Sequence, residues 1–369
     1  MITAASISDR RNIHYWKCDR PAAFHGTGAD VDVGNILEPL RHALELAFPG
    51  QSMGLKPTAS QGNHRTFSAE IDGQPAFIRV EDGPERDDYL EVESRLLREV
   101  ATRHVATPRV LAFDATRTNV PFAWQALEYI PHPDLNQHYK AGRLNLPDAA
   151  ETIGAAVARW QDIRPPGFGP FSPSKVRSVG TLQGLHPRYE TYFMLRLDEH
   201  LGFLESRSFL SAEESGSIRK CIGQHRDLLQ LEQGCLVHKD LALWNILGEP
   251  DVIAAYIDWD DAISGDPMDD LSLLACFHDA QVLCRALRGY ATLRPLPSDH
   301  LQRFWLHLLR NMIVKAVIRV GAGYFDRDDG FFLINSGASG QTLRDFTRRR
   351  LHIAMDGLIH RRELAFLDS

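Results

Sequence analysis

Between Asn35 and Phe48, Ile36, Leu37, Leu40, Leu44 and Phe48 recur mostly at three- to four-residue intervals, the spacing that lines apolar side chains along one side of a helix. Pro39 falls in the first turn, where its missing N–H is not needed, and Pro49-Gly50 ends the element. From about Lys56 to Val80 the period shortens. Thr66 to Ile71 and Pro75 to Val80 are strand-like and flank Asp72-Gly73, a pair suited to a tight hairpin. Leu90, Val92, Leu96, Leu97 and Val100 then mark the buried side of a helix over Asp88 to His104, and two more strands are predicted over Pro108 to Phe113 and Phe122 to Ile130.

Pro131-His132-Pro133 interrupts regular pairing and marks where the chain leaves this small sheet. Beyond it the pattern is helical over Ala149 to Gln161, Tyr189 to Ser206, Ala212 to Leu229, Asp270 to Leu287 and Leu301 to Val320, with Arg164 to Pro170 expected as a surface connection. The order predicts an α+β, bilobal molecule: an extension with one helix at 1–50, a small antiparallel-sheet lobe at 51–130 and a mainly helical lobe at 131–369. The first part of the extension, with Arg10, Arg11, Tyr15, Trp16 and Lys17, carries no recognisable motif.

With 369 residues, 44% of them hydrophobic, the chain can bury a substantial core. A net charge of −7 argues against a protein built to wrap nucleic acid. The five cysteines lack a C-x-x-C pair and, Cys18 apart, sit in apolar segments, as reduced thiols of a cytoplasmic protein would. The absence of a basic-then-apolar leader and of an eighteen-residue apolar run points the same way and predicts no membrane partner.

The chemistry concentrates in two short segments. Asp240 and Asn245, five residues apart between Leu236-Val237 and Ile246-Leu247, suit a curved loop in which the carboxylate faces an acceptor hydroxyl and the amide oxygen reaches Mg²⁺. Asp258, after the strand-like Ala254 to Ile257, can enter the same site as a second hard oxygen ligand. Such a set lowers the barrier to phosphoryl transfer by positioning and charge neutralisation.

His238-Lys239-Asp240 with Asn245, Ile257-Asp258-Trp259, and Gly265-Asp266-Pro267-Met268-Asp269-Asp270-Leu271 together resemble the aminoglycoside phosphotransferase and choline kinase family of the protein-kinase-like fold. The resemblance runs from about Pro57 to Phe277. It implies Mg²⁺ and ATP, Asp240 as the catalytic carboxylate, and Asn245 and Asp258 as metal ligands. It also implies nucleotide contacts from a turn at Gly62, from Arg79 with Glu93 as its acidic partner (Glu91 being the alternative in another helix register), and from the strand and hinge Gln125 to Ile130, including Glu128. Lys239 stands where the family has Gly, and its side chain is expected to protrude towards phosphate or solvent. His238 is expected to fix the loop, and Asp266 and Asp270 to support it.

Asp261, Asp326, Asp328 and Asp329 are candidate acceptor contacts. Tyr189, Tyr192, Trp305 and Tyr324 are candidates for an aromatic wall, although helix packing is the stronger expectation for each. The implied activity is ATP-dependent phosphorylation of a hydroxyl on a small molecule such as an aminoglycoside, sugar or amino alcohol, by a monomer or homodimer. The competing reading is a nucleotide-binding regulator of the same fold that has lost catalysis.

Overall fold

The computed structural model describes residues 10–20, 34–58, 64–83, 85–327 and 339–369. A short helix α1 (Trp16–Asp19) precedes α2 (Gly34–Ala47). The first lobe holds β1 (Met53–Pro57), β2 (Arg65–Ile71), β3 (Gln74–Glu81), α3 (Tyr89–Ala101), β4 (Val110–Asp114) and β5 (Ala123–Glu128), in an antiparallel sheet of order β1-β2-β3-β5-β4. Phe67, Ala69 and Ile71 alternate along β2 and face Ile36, Leu40 and Leu44 of α2, so the predicted helical stripe covers one face of this sheet. Val92, Leu96, Leu97 and Val100 of α3 join the main core instead. The Asp72-Gly73 turn, with both residues at positive φ, joins β2 and β3 as the pattern predicts.

The second lobe continues with α4 (Leu135–Lys140), α5 (Leu146–Trp160), β6 (Phe168–Phe171), α6 (Pro173–Val179), β7 (Gly184–His186), α7 (Tyr189–Phe193), α8 (Leu197–Ser206), α9 (Ala212–Gln224), β8 (Cys235–Val237), β9 (Ile246–Glu249), β10 (Val252–Tyr256), β11 (Ile263–Gly265), α10 (Asp269–Leu274), α11 (Ala280–Ala291), α12 (His300–Gly321) and α13 (Gly340–His360). Three expectations are corrected. The proposed surface connection contains β6, whose four residues are all buried between β7 and β11. The helix expected over Tyr189 to Ser206 is two, because Arg196 takes a left-handed conformation between them. The one expected over Asp270 to Leu287 breaks before Asp279, whose carboxylate caps α11 by accepting from Val282 N at 3.1 Å.

Two glycines let α5 and α11 cross closely. A Cβ on Gly154 would stand 1.8 Å from the Ala286 carbonyl oxygen, and one on Gly289 would stand 1.9 Å from that of Glu151. The obstacles are backbone atoms and cannot rotate away. Gly154→Ala is therefore expected to destabilise the protein by roughly 1–3 kcal/mol or more, read as a lowered denaturation midpoint; an unchanged midpoint would contradict the close crossing.

All five cysteines are free, but the buried one near the start is Cys18 and the exposed one is Cys284, opposite to the sequence expectation. Among the described residues no helix is long and apolar enough to cross a membrane.

Candidate active site

Strand pairing brings the two chemical segments together. β8 leads into the loop holding Asp240, β11 follows the segment holding Asp258, and the two strands pair with Val237 opposite Ile263. The β9–β10 hairpin starts beside Asn245 and ends beside Asp258, and Ile257 N donates to the Asn245 carbonyl at 3.0 Å. Asp270, at the start of α10, accepts from His238 N at 2.9 Å, Lys239 N at 3.0 Å and Trp160 Nε1 at 3.1 Å. His238 is buried and held below its usual range by that burial. Its Nε2 donates to the Ile257 carbonyl at 3.0 Å and its Nδ1 accepts from Asp240 N at 3.3 Å, which ties the two loops together with a neutral ring.

Lys239 does not protrude. It sits at φ 68° and turns inward, where Nζ pairs with Asp269 at 2.7 Å and donates to Asn311 Oδ1 at 3.0 Å. The positive φ explains why glycine suits this position, and the buried ion pair compensates a lysine there. Asp266 is held in the same support by Arg303 at 2.7 Å and by Met268 N at 2.8 Å.

Asp240 is buried, and Asn245 Nδ2 donates both to its carbonyl at 2.8 Å and to Oδ2 at 2.9 Å. Those two bonds use the amide nitrogen and leave the Asn245 oxygen as the atom with which it could hold a metal. Asp258 has φ 63°, and its Oδ1 lies 3.3 Å from Arg79 Nη2. Arg79 also pairs closely with Glu93, whose other oxygen accepts from Trp259 N at 3.0 Å. The helix register is thereby decided: Glu93 faces the site, while Glu91 pairs with Arg177 on the surface.

The remaining nucleotide candidates fare differently. The Gln125 side chain is buried and donates to Ser94 Oγ at 2.8 Å, so it fastens α3 to the sheet. Glu128 is half-buried, pairs with Arg109 at 3.0 Å and donates its backbone N–H to the Arg109 carbonyl at 2.9 Å. The Ile130 carbonyl accepts from His132 N at 2.9 Å. Gly62 lies outside the described residues, as do Asp328 and Asp329. Asp326 is exposed, Tyr324 is half-buried, and Tyr189, Tyr192 and Trp305 are buried in the core, where packing accounts for them.

The largest departure from expectation is the motif-less segment at 10–20, which is seated in the site. Arg10 is buried, pairs with Asp87 at 2.6 Å and Asp260 at 2.9 Å, and lies between the rings of Trp16 and Tyr89 at 3.9 and 3.4 Å. Trp16 N donates to Asp261 Oδ1 at 2.9 Å, and Asp19 accepts from His14 N and Tyr15 N at 3.0 Å each. So anchored, Tyr15 donates its hydroxyl to Asp240 Oδ1 at 2.6 Å. Lys17 Nζ pairs closely with Asp240 Oδ2 and lies 3.3 Å from Asp258 Oδ2. From the far side, Lys315 of α12 lies 3.2 Å from Asp240 Oδ1 and from the Tyr15 hydroxyl.

These neighbours set the charges. Burial would push the Asp240 carboxyl up, but Lys17 and Lys315 outweigh it and hold the carboxyl well below the usual range. For Lys17, burial is outweighed by Asp240, Asp258 and Asp261, and the ammonium is held charged. Asp261, by contrast, is pushed up by burial, and by Asp240 and Asp260 against Lys17, to about 7.

One ammonium already bridges Asp240 and Asp258, so the spacing accommodates a cation between them, and the carboxylate and amide oxygens are the hard donors that Mg²⁺ takes. A second cluster, Cys18, Asp19 and His200, has ligand atoms within 4.8 Å of one another. Its thiol is pushed up by burial and by Asp19, and a thiol suits a softer metal than magnesium.

The profile of the phosphotransferase enzyme family matches residues 54–300. No curated protein sequence matches the chain. Among solved structures, the aminoglycoside phosphotransferase APH(4)-Ia is similar over 90% of this chain and 98% of its own, at 16% identity and a TM-score of 0.55. A thermostable mutant of the same enzyme, in ternary complex with ADP and hygromycin B, aligns over 85% and 97% at 16% identity and a TM-score of 0.59. The macrolide 2'-phosphotransferase MphH from Brachybacterium faecium aligns over 76% and 93% at 18% identity and a TM-score of 0.50. At these identities the likeness establishes a shared fold.

Proposed function

The chain belongs to the phosphotransferase enzyme family, and on that premise we propose that Asp240, Asn245 and Asp258 form the centre at which it transfers the γ-phosphate of ATP to a hydroxyl of a small molecule. The observation that carries this reading is that Asn245 hydrogen-bonds Asp240 and that Asp240 and Asp258 share a single ammonium. Magnesium held by Asn245 and Asp258 would neutralise phosphate charge there. Arg79, steadied by Glu93, offers its guanidinium fork to phosphate oxygens. The lobe at 51–130 then supplies the nucleotide side and the lobe at 131–369 the acceptor side. The five free thiols suit work in the reducing cytoplasm.

Asp240 orients the acceptor hydroxyl. As its oxygen bonds to the γ-phosphorus and the bond to ADP breaks, the hydroxyl proton passes to Asp240 Oδ1 or Oδ2. A carboxylate held as acidic as this one is a weak base, so its first task is alignment, and moving Lys17 away makes it a better proton acceptor. Turnover of Mg·ATP with a panel of hydroxylated metabolites, with product masses recorded, tests the reading directly. Nucleotide binding with no phosphorylated product from any acceptor would favour the regulatory alternative.

Lys17 holds the oxygens that a metal ion and an acceptor need, so binding has to displace it. Lys17→Met is accordingly expected to lower the half-saturating Mg²⁺ concentration for nucleotide binding by roughly tenfold, the loss of one charge-assisted contact to each carboxylate. Titration of Mg²⁺ at fixed nucleotide measures it, and an unchanged midpoint would remove Lys17 from competition with the metal.

A further inference from the structure

One turn of α12 beyond Lys315 lies Arg319, and the charge of Arg350 on α13 acts on it. All three are buried, Arg319 to 2% exposure and Arg350 to 6%. Arg319 Nη1 donates to Thr347 Oγ1 at 2.8 Å, but its Nη2 and Arg350 Nη1 have no hydrogen-bond partner, and among the described residues neither guanidinium has an ion pair. Two carboxylates that act on Arg350, Asp279 and Asp368, cap backbone N–H groups at the start of α11. Burial pulls both guanidinium groups down to about 10, and Arg319 also feels the charge of Arg350. Arginine keeps its proton even so, which leaves two buried cations without an ion pair among the described residues.

The cluster connects to the reacting end of the site through one ring. Lys315 Nζ lies 5.6 Å from the centre of Phe277 and Arg319 Cζ lies 5.8 Å from it. Trp244, in the turn that carries Asn245, meets the same ring edge-on at 5.0 Å. Lys315 itself touches Asp240. A row of groups therefore runs from the catalytic carboxylate over an aromatic platform to Arg319, whose neighbour in charge is Arg350, and among the described residues neither guanidinium has an ion pair.

We propose that Arg319 and Arg350 bind an anionic group on the acceptor, so that the substrate is a hydroxylated carboxylate or phosphate ester whose hydroxyl reaches Asp240. The proposal rests on the phosphotransfer reading and names the substrate class for that site. Oxygens of a carboxylate or phosphate match the planar guanidinium fork, and the cations beside Asp240 disfavour an acceptor that carries ammonium groups.

Four matched hexoses separate the possibilities: glucuronate, glucose 6-phosphate, glucose and glucosamine, each assayed for ADP release and product mass with Mg·ATP. The acidic pair is expected to have a KM at least about tenfold below that of glucose, with glucosamine the poorest. Arg350→Gln should raise the KM for the acidic pair by about tenfold and leave that for ATP unchanged, with Arg350→Lys restoring part of it. Glucuronate favoured over glucose 6-phosphate assigns a carboxylate, and the reverse assigns a phosphate ester.

A calorimetric titration with inorganic phosphate, without nucleotide, isolates the anion site: wild type should bind more tightly than Arg319→Met and Arg350→Gln. If phosphate binding depends on both arginines while no hexose is phosphorylated, the anion site stands and the phosphotransfer reading loses support. Preference for glucosamine or glucose, or phosphate binding indifferent to both substitutions, overturns the anionic acceptor and leaves phosphotransfer intact. Should Arg350→Gln fail to fold, the Arg319→Met and Arg350→Lys comparisons decide the same question.

Discussion

Asp240→Asn is expected to lower kcat by three or more orders of magnitude while the chain remains folded. The substitution keeps the shape of the side chain and its place beside Asn245, but an amide neither accepts the acceptor's proton nor opposes Lys17 and Lys315 with a charge. Loss of a positioned base costs about 10²–10⁴ in rate, and misalignment of the hydroxyl adds to it. The circular dichroism spectrum should be retained, because the loop is held by Asp270 and His238 independently of that carboxylate. Turnover within tenfold of wild type would take Asp240 out of the mechanism.

Asp258→Asn should abolish the magnesium dependence of nucleotide binding and reduce turnover by about a thousandfold or more, the scale of removing one transition-state charge contact. The backbone there is left-handed, a conformation that asparagine adopts readily, so the fold of the turn survives. What changes is the charge: Arg79 and Lys17 both lose an anionic neighbour, and a divalent ion loses its carboxylate. Nucleotide affinity with and without Mg²⁺ is the measurement. If added magnesium tightens binding in the variant as much as in wild type, Asp258 is not the ligand.

The loops bearing these residues were legible because local spacing encodes them. His238 to Asn245 and Ile257 to Trp259 are each contiguous, and the strand pairs that align them are short. The helical stripe at 35–48 and the Asp72-Gly73 hairpin were legible for the same reason, since their periodicity is carried within one element. Glu93 and Glu91 could be separated only once α3 had a partner surface, because a helix rotated slightly would offer either.

The inward turn of Lys239 was not legible, as its partner Asp269 lies thirty residues on and a lysine's reach permits several outcomes. Burial of β6 was hidden by Gly167, Gly169 and the prolines, which read as a loop until two other strands flank them. Least legible was the segment at 10–20. Its bonds to Asp240 and Asp260 join residues separated by more than 200 positions, and no periodicity marks a short helix that carries Lys17 beside Asp240.

That seating has a bearing on how the chain reaches its final form. Arg10 meets Asp260 across 250 residues, and Tyr15 meets Lys315 across 300. During synthesis the segment leaves the ribosome before Asp240, Asp260 and Lys315, the distant groups that receive it. Asp87 and Tyr89 can hold Arg10 early, but the contacts that seat Tyr15 and Lys17 beside Asp240 close only after residue 240 is made, and they carry a large loop-closure cost.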